Sequence, residues 1–381
     1  MINKNFYVKV LCFKEIFMLE IKHDINTIFV MLGQQCNLNC KYCMQHDLII
    51  DVLPKRFIHH DIINFIKYHA NKQERPIDIR FYGGEPLIYF NDIKHIVNLL
   101  KKDNVSFSII SNGKLINENI VKFFNDNNFS SVAISWDGID SIKTRLYDVF
   151  KEKQNLLLNI NNLCISGVIS SFNYPNSFIN SIKPFIEEYY RIHNYMINFS
   201  KDEIMDMNAC HSDLRTFDYN EINKQMNILV NNIKKSFVNM ETSNISLNDY
   251  LYISLFTMYC NSIQSGLNSY TRSFCGNGIN VINLDLEGNL YQCHNNWIKI
   301  GDINSDYNTY ILKAKELDTI TLNNFNSTCK NCSILSLCKC GCPLIKQDIR
   351  EKTDFCKLRK AIYEPIINLV NEAIANNGSF Y

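Results

Sequence analysis

From residue 27 to about 200 the chain alternates between short apolar runs and longer stretches with apolar residues at helical spacing. Apolar runs of strand length fall at 27–32, 77–82, 105–110, 131–136, 167–172 and 195–200. Helical spacing lies between them, near 57–70, 91–102, 114–127, 142–163 and 177–190. The first kind predicts buried strands, the second amphipathic helices. Asp61, Asn91 and Asn117 stand where early-turn or capping residues belong. Six strand–helix units predict an α/β fold built on a partial (β/α)6 TIM-like barrel. Ligands in such barrels gather at the carboxyl ends of the strands, in the loops that follow.

Outside this region the pattern is weaker. Phe6 to Leu11 has β-like content within an N-terminal extension, 1–24. The barrel is assigned to 25–200 and a bridging segment to 201–260, in which Tyr219 to Val238 has helical spacing. His211 and Asp213 of that bridge are expected to be solvated loop residues. A small cysteine-rich domain is expected over 261–360, and a C-terminal helix and tail over 361–381, with helical spacing from Lys357 to Asn376.

Composition narrows the functional classes. A formal net charge of +1 gives no general attraction to nucleic acid or to an anionic membrane. No apolar stretch approaches the roughly 20 residues of a spanning helix, and Lys4, Lys9 and Lys14 break any signal-peptide pattern. A cytoplasmic location is therefore expected. Fifteen cysteines in such a chain point to metal ligation rather than to disulfides.

Cys36, Cys40 and Cys43 follow the first strand at C-x3-C-x2-C spacing. Three thiolates on one tight loop can hold three irons of a cubic 4Fe-4S cluster and leave the fourth iron open to a ligand. A zinc knuckle or a redox thiol group is the alternative reading. Further motifs follow the next strands: Gly83-Gly84-Glu85-Pro86, Ser111-Asn112-Gly113 and Ser135-Trp136-Asp137-Gly138. Glycines admit close approach of a ligand to backbone, and small hydroxyl and amide groups bond polar ligand atoms. Each motif also fits an ordinary turn or loop cap.

The carboxyl third holds a second field of cysteines. Cys275 is followed by twelve residues, Gly288, four residues and Cys293. Then come Cys329-x2-Cys332-x5-Cys338-x3-Cys342 and, after thirteen more residues, Cys356. Asp285 to Tyr291 predicts a β-hairpin turning at Gly288. Cys340 lies outside this register, and Cys12, Cys164 and Cys210 are expected to be small buried hydrophobes. Zinc is again the competing reading.

The first motif resembles the signature of radical S-adenosylmethionine (SAM) enzymes, and the second field resembles their carboxyl-terminal SPASM extension. The resemblance covers roughly residues 27–360 and includes Gly301-Asp302-Ile303. It implies that Cys36, Cys40 and Cys43 hold a SAM-binding cluster. It further implies that Tyr42 packs near the adenine, and that Gly83, Gly84 and Glu85 line the methionine amino group. Ser111, Asn112, Ser135, Asp137 and Arg145 would bond ribose and carboxylate. Two auxiliary 4Fe-4S clusters would take Cys275, Cys293 and Cys342, and Cys329, Cys332, Cys338 and Cys356. The first of these is closed by Cys260 or keeps an open iron.

The family reading implies an oxidoreductase that modifies a peptide or protein substrate. Its electrons would come from a donor such as flavodoxin or ferredoxin. The leading expectation is intramolecular cross-linking of a ribosomally made peptide. One alternative is an anaerobic sulfatase-maturating enzyme that generates formylglycine. That branch has Asp as a proposed base directly after the Gly-x4-Cys cysteine, where this chain has His294, a candidate catalytic residue. A non-enzymatic cluster scaffold is the remaining alternative.

Overall fold

The protein is described by a computed structural model over residues 25–45, 60–127, 129–203, 210–268, 280–307, 309–314, 316, 329, 331–338, 341–342, 344–345 and 354–375. Cys12, Cys275, Cys340 and the extension 1–24 lie outside the described residues. The first half alternates strand and helix: β1 (Thr27–Met31), α1 (His60–Ala70), β2 (Ile77–Tyr82), α2 (Phe90–Leu100), β3 (Val105–Ser111) and α3 (Glu118–Asp126). It continues with β4 (Ser131–Ser135), α4 (Ser141–Arg145), α5 (Val149–Leu158), β5 (Leu163–Ile169), α6 (Pro175–His193) and β6 (Asn198–Glu203). Two long helices follow, α7 (Tyr219–Glu241) and α8 (Leu247–Asn268). The chain then forms β7 (Val281–Asp285), β8 (Asn289–Tyr291), β9 (Lys299–Asp302) and, near its end, α9 (Phe355–Ala375).

The nine strands among the described residues share one sheet, in the order β6-β5-β4-β3-β2-β1-β7-β8-β9. Strands β1 to β6 are parallel to their neighbours, as the alternating pattern requires. Strand β7 pairs parallel with β1, so the cysteine-rich region begins on the barrel's own sheet. The expected hairpin is present as β7–β8, with Leu284 opposite Leu290 and Gly288 at a φ of +83°.

The two faces of the sheet differ sharply. Ile28, Val30, Ile79, Phe81, Ile109, Val132, Ile134 and Ile165 point to the helices and are fully buried. Each such side chain contributes roughly 1.5–3 kcal/mol to folding. The opposite, inner face carries small or polar residues, among them Asp78, Arg80, Ser108, Ala133, Cys164 and Ser166. Cys164 is thus half-buried on the lumen side, whereas Cys210 is buried as expected.

Several boundaries depart from the sequence pattern for local reasons. Strand β5 runs 163–169 instead of 167–172, because Ser170 and Asn173 close a turn immediately after it. Strand β6 starts at Asn198, after the left-handed Asn194 that ends α6. The helix expected over 142–163 breaks at Leu146, which adopts a φ of +58°, and restarts where the Asp148 side chain accepts from Lys151 N. Asn117 caps α3 by accepting from Ile120 N, but Asn91 lies inside α2. The capping carboxylate there is Glu85, at the head of the 3-10 turn Pro86–Tyr89 that leads into α2. Among the described residues no helix is long and apolar enough to cross a membrane.

Candidate active site

The loops after β1 and β2 continue to pair beyond the sheet. Leu32 N donates to Tyr82 O at 2.9 Å, Gly84 N to Gly33 O at 2.9 Å and Glu85 N to Gln35 O at 2.8 Å. A Cβ on Gly83 would collide with the Gly33 carbonyl oxygen, and one on Gly84 with those of Gln34 and Gln35. These two glycines are therefore required for the turn to lie under the loop that carries Cys36.

Glu85 is fully buried, and its carboxylate is used by the chain itself. Oε1 accepts from Leu87 N at 3.0 Å and Ser111 Oγ at 2.8 Å, and Oε2 accepts from Asn112 N at 2.8 Å. Burial pushes this carboxyl above its ordinary pKa, and the three donors oppose that. Asn112 then reaches the cysteine loop: its Nδ2 donates to Asn37 Oδ1 at 2.8 Å and lies 3.8 Å from Cys36 Sγ. Leu38 N lies 3.5 Å from the same sulfur.

The other side of the loop is held by the β4–α4 connection. Asp137, also fully buried, accepts from Tyr42 OH at 2.8 Å, Thr144 Oγ1 at 2.6 Å and Val168 N at 2.9 Å. Arg145 Nη1 donates to Tyr42 OH, and Lys41 N donates to Thr144 O at 2.9 Å. Burial opposes the charge of Arg145, but Tyr42, Cys40 and Asp137 outweigh it and raise its pKa. As a thiol, Cys40 is pushed up to about 11 by burial, which the Arg145 charge partly offsets. Burial likewise raises Cys36. Ser135 is half-buried at the end of β4. The bridge contributes too: Asp213 pairs with Lys41 at 3.1 Å, and His211 N donates to Lys41 O at 3.0 Å.

The segment after Cys293 meets the same loop. Gln45 Nε2 donates to Asn295 Oδ1 at 3.1 Å, Tyr82 OH to the same oxygen at 2.9 Å, and Trp297 Nε1 to Gln45 Oε1 at 3.2 Å. His294 stacks on Phe29 with ring centroids 4.2 Å apart and meets Tyr82 edge-on. Burial, helped by the nearby Arg80 charge, pushes His294 down to about 4, and its Nδ1 is buried with no hydrogen-bond partner among the described residues. Sequence reading missed the Gln45–Asn295–Tyr82 link, because only the pairing of β7 with β1 brings these segments together.

Cys293 and Cys342 are buried, and Asn295 N donates to Cys293 Sγ at 3.3 Å. Cys329, Cys332 and Cys338 are half-buried in one compact turn, tied by Cys332 N to Cys329 O and Cys338 N to Ile334 O. Cys356 is exposed at the start of α9. Cys260 is half-buried on α8, which packs against the 335–338 turn, and burial raises its thiol to about 11. Among the described residues no three Cys, His, Asp or Glu side chains close on a single ion.

A profile described as the radical SAM superfamily matches residues 30–175. Residues 30–175 therefore carry a radical SAM domain. The chain is 28% identical over 200 residues to the radical SAM cyclopropyl synthase TigE of Paramaledivibacter caminithermalis. That match covers 45% of this chain and 41% of TigE, so less than half of that relative is spanned. It is 23% identical to the cysteine-type anaerobic sulfatase-maturating enzyme of Clostridium perfringens, over 90% of this chain and 96% of the relative. Among solved structures, native anSMEcpe with bound AdoMet superposes with a TM-score of 0.64 at 19% identity, over 92% of this chain and 99% of that one. Streptococcus suis SuiB bound to the precursor peptide SuiA gives 0.56 at 14%, over 84% and 72%. These two likenesses are ones of fold, and they extend past the barrel into the cysteine-rich part.

The radical SAM superfamily brings a 4Fe-4S cluster and SAM, and the residues present fit them. Three soft sulfur donors share one loop, an amide and a side-chain amide approach the Cys36 sulfur, and a fixed cation sits beside Cys40. Each thiolate of a cubane binds a different iron, so this donor set need not close on one point.

Proposed function

We propose that the protein is a radical SAM peptide maturase that forms an intramolecular cross-link in a ribosomally made peptide. The observation that carries this reading is the convergence at one end of the sheet. The loop of Cys36, Cys40 and Cys43 is held from one side by Glu85 and Asn112, from another by Asp137 and Arg145, and through Gln45 by the segment after Cys293. When bound, the cluster and SAM supply a deoxyadenosyl radical that removes a hydrogen atom from the substrate.

In this reading Cys36, Cys40 and Cys43 ligate the cluster, and Tyr42, Ser135, Asn112 and Arg145 face SAM. The backbone of Gly83 and Gly84 brings the loop into place, and Glu85, Ser111 and Asp137 hold the groups that make those contacts. Two auxiliary clusters are held by Cys275, Cys293, Cys342, Cys329, Cys332, Cys338 and Cys356, with Cys260 closing the first. Clusters held there would supply an acceptor for the second electron of an oxidative cross-link, and a flavodoxin- or ferredoxin-like donor would be the source of the electron that cleaves SAM. The barrel spans 25–200, the bridge 201–260 and the auxiliary-cluster part 261–360.

A second reading, formylglycine formation, has the near full-length likeness to a sulfatase-maturating enzyme in its favour. It needs a base where His294 stands. His294 puts an imidazole there instead of a carboxylate, stacked on Phe29 and packed edge-on against Tyr82. Peptides bound by relatives, a precursor for SuiB and the Cp18Cys peptide for anSMEcpe, support a peptide substrate in either case. Co-expression with a short reading frame adjacent to the gene, followed by mass analysis, tests the proposal. Loss of two hydrogens per modification supports cross-linking. An aldehyde product from a sulfatase-motif peptide would overturn it.

A further inference from the structure

The inner face of the barrel carries an ion pair, Arg80 with Asp78, that the chemistry above does not use. Arg80 lies mid-strand on β2, in register with Phe29 of β1 and Ser108 of β3, so its side chain enters the lumen. Its Nε donates to Ser108 Oγ at 3.1 Å, and its Nη2 donates to Asp78 Oδ2 at 2.6 Å. Ser108 Oγ in turn donates to the same Asp78 oxygen at 2.8 Å. The guanidinium carbon lies 5.4 Å from the centre of the Phe29 ring. The bonds from Nε and Nη2 hold the guanidinium in place.

What the contacts leave over is as informative. Among the described residues no acceptor bonds Nη1, and 35% of the Arg80 side chain is exposed. The opposite wall does not fill the space, because Ala133, Cys164, Ser166 and Ser200 at the facing inner positions are all small. Two further polar atoms on this face, Asp78 Oδ1 and His294 Nδ1, are buried without a partner among the described residues. Lumen positions of a closed, substrate-free barrel are ordinarily filled by branched apolar side chains. Here they form an open, polar wall with a pre-oriented cation. A planar guanidinium edge with free N–H donors is matched to a carboxylate.

We propose that Arg80, clamped by Asp78 and Ser108, is a substrate subsite that binds a carboxylate of the peptide, from an Asp or Glu side chain near the residue being modified. This rests on the peptide-maturase reading and narrows its substrate class. The clamp costs no ordering at the moment of binding, because the fork is already held.

The test uses the full-length protein, anaerobically reconstituted with iron and sulfide and saturated with SAM. A random heptapeptide library displayed on phage is selected against it, and against Arg80→Gln, Arg80→Lys and Ser108→Ala at equal iron loading. The expected result is enrichment of Asp or Glu at one position with the wild type. Binding of a selected acidic peptide should weaken about tenfold or more with Arg80→Gln and only a few-fold with Arg80→Lys and Ser108→Ala. Its Asp→Asn or Glu→Gln analogue should bind wild type and Arg80→Gln alike. An undiminished acidic preference in Arg80→Gln, peptides without any acidic preference, or no peptide selected at all would each overturn the subsite. The maturase reading is scored separately, by release of 5′-deoxyadenosine from SAM with reductant, so the two ideas can fail independently.

Discussion

Glu85→Gln separates two roles that the Gly-Gly-Glu-Pro turn can play. If the carboxylate serves a ligand, its loss matters only when that ligand is bound. The structure instead commits both oxygens internally: Oε1 to Leu87 N and Ser111 Oγ, Oε2 to Asn112 N. The amide of Gln keeps one oxygen, which can serve the first pair. The NH2 group then faces Asn112 N, two donors opposed in a fully buried site. One charge-assisted bond is lost and one buried donor is left unsatisfied, a cost of roughly 2–4 kcal/mol. The assay is urea unfolding of the metal-free protein under reducing conditions, with no SAM present. The expected outcome is a clear drop in the unfolding midpoint, with Ser111→Ala costing about 1 kcal/mol and the double variant less than the sum. An unchanged midpoint for Glu85→Gln, with an effect appearing only on SAM binding, would refute the reasoning.

Three further outcomes follow from the geometry. Gly84→Ala drives a methyl group into the carbonyl oxygens of Gln34 and Gln35, so iron incorporation after reconstitution should fall while far-ultraviolet circular dichroism is retained. Asp137→Asn replaces the acceptor shared by Tyr42, Thr144 and Val168, and should destabilise by about 2 kcal/mol and broaden the cluster's paramagnetic signal; an unchanged signal would place Tyr42 outside the frame of the loop. His69, buried and pushed down to about 4 mainly by desolvation, must stay neutral in the folded state. Its contribution is complete above the unfolded pKa near 6.5 and is lost as pH falls toward 4, worth roughly 1–3 kcal/mol after screening. His69→Phe should therefore flatten the acid side of the stability profile, measured by urea unfolding from pH 7 to 4.5.

Strands β1 to β5 were legible in the sequence because their outward residues are apolar and buried, as the Ile77, Ile79 and Phe81 series shows. The cysteine spacings and strand-end motifs were legible for a similar reason, since they are local. What the motif residues touch was not. Gly83 and Gly84 approach backbone of the cysteine loop, a contact fixed by how two strand ends continue to pair. The break at Leu146 was hidden because nothing about leucine favours a left-handed backbone. The pairing of β7 with β1 joins distant segments, and no short-range signal encodes it. That pairing is what brings Asn295 and Trp297 to Gln45, so the link between the two cysteine regions was invisible to sequence patterns. Arg80 stood in plain view as a polar residue inside a strand, but only the register with Ser108 shows that it enters the lumen.

The central claim is that Cys36, Cys40 and Cys43 hold a cluster with one iron left for SAM. Low-temperature electron paramagnetic resonance of the reduced, anaerobically reconstituted protein tests it most directly, in a variant with Cys329, Cys332, Cys338, Cys342 and Cys293 replaced by alanine so that one cluster remains. The account predicts a reduced-cluster signal whose g-values shift when SAM is added, and no such signal once Cys36, Cys40 and Cys43 are also replaced. A signal indifferent to SAM, or one that survives loss of those three cysteines, would contradict it.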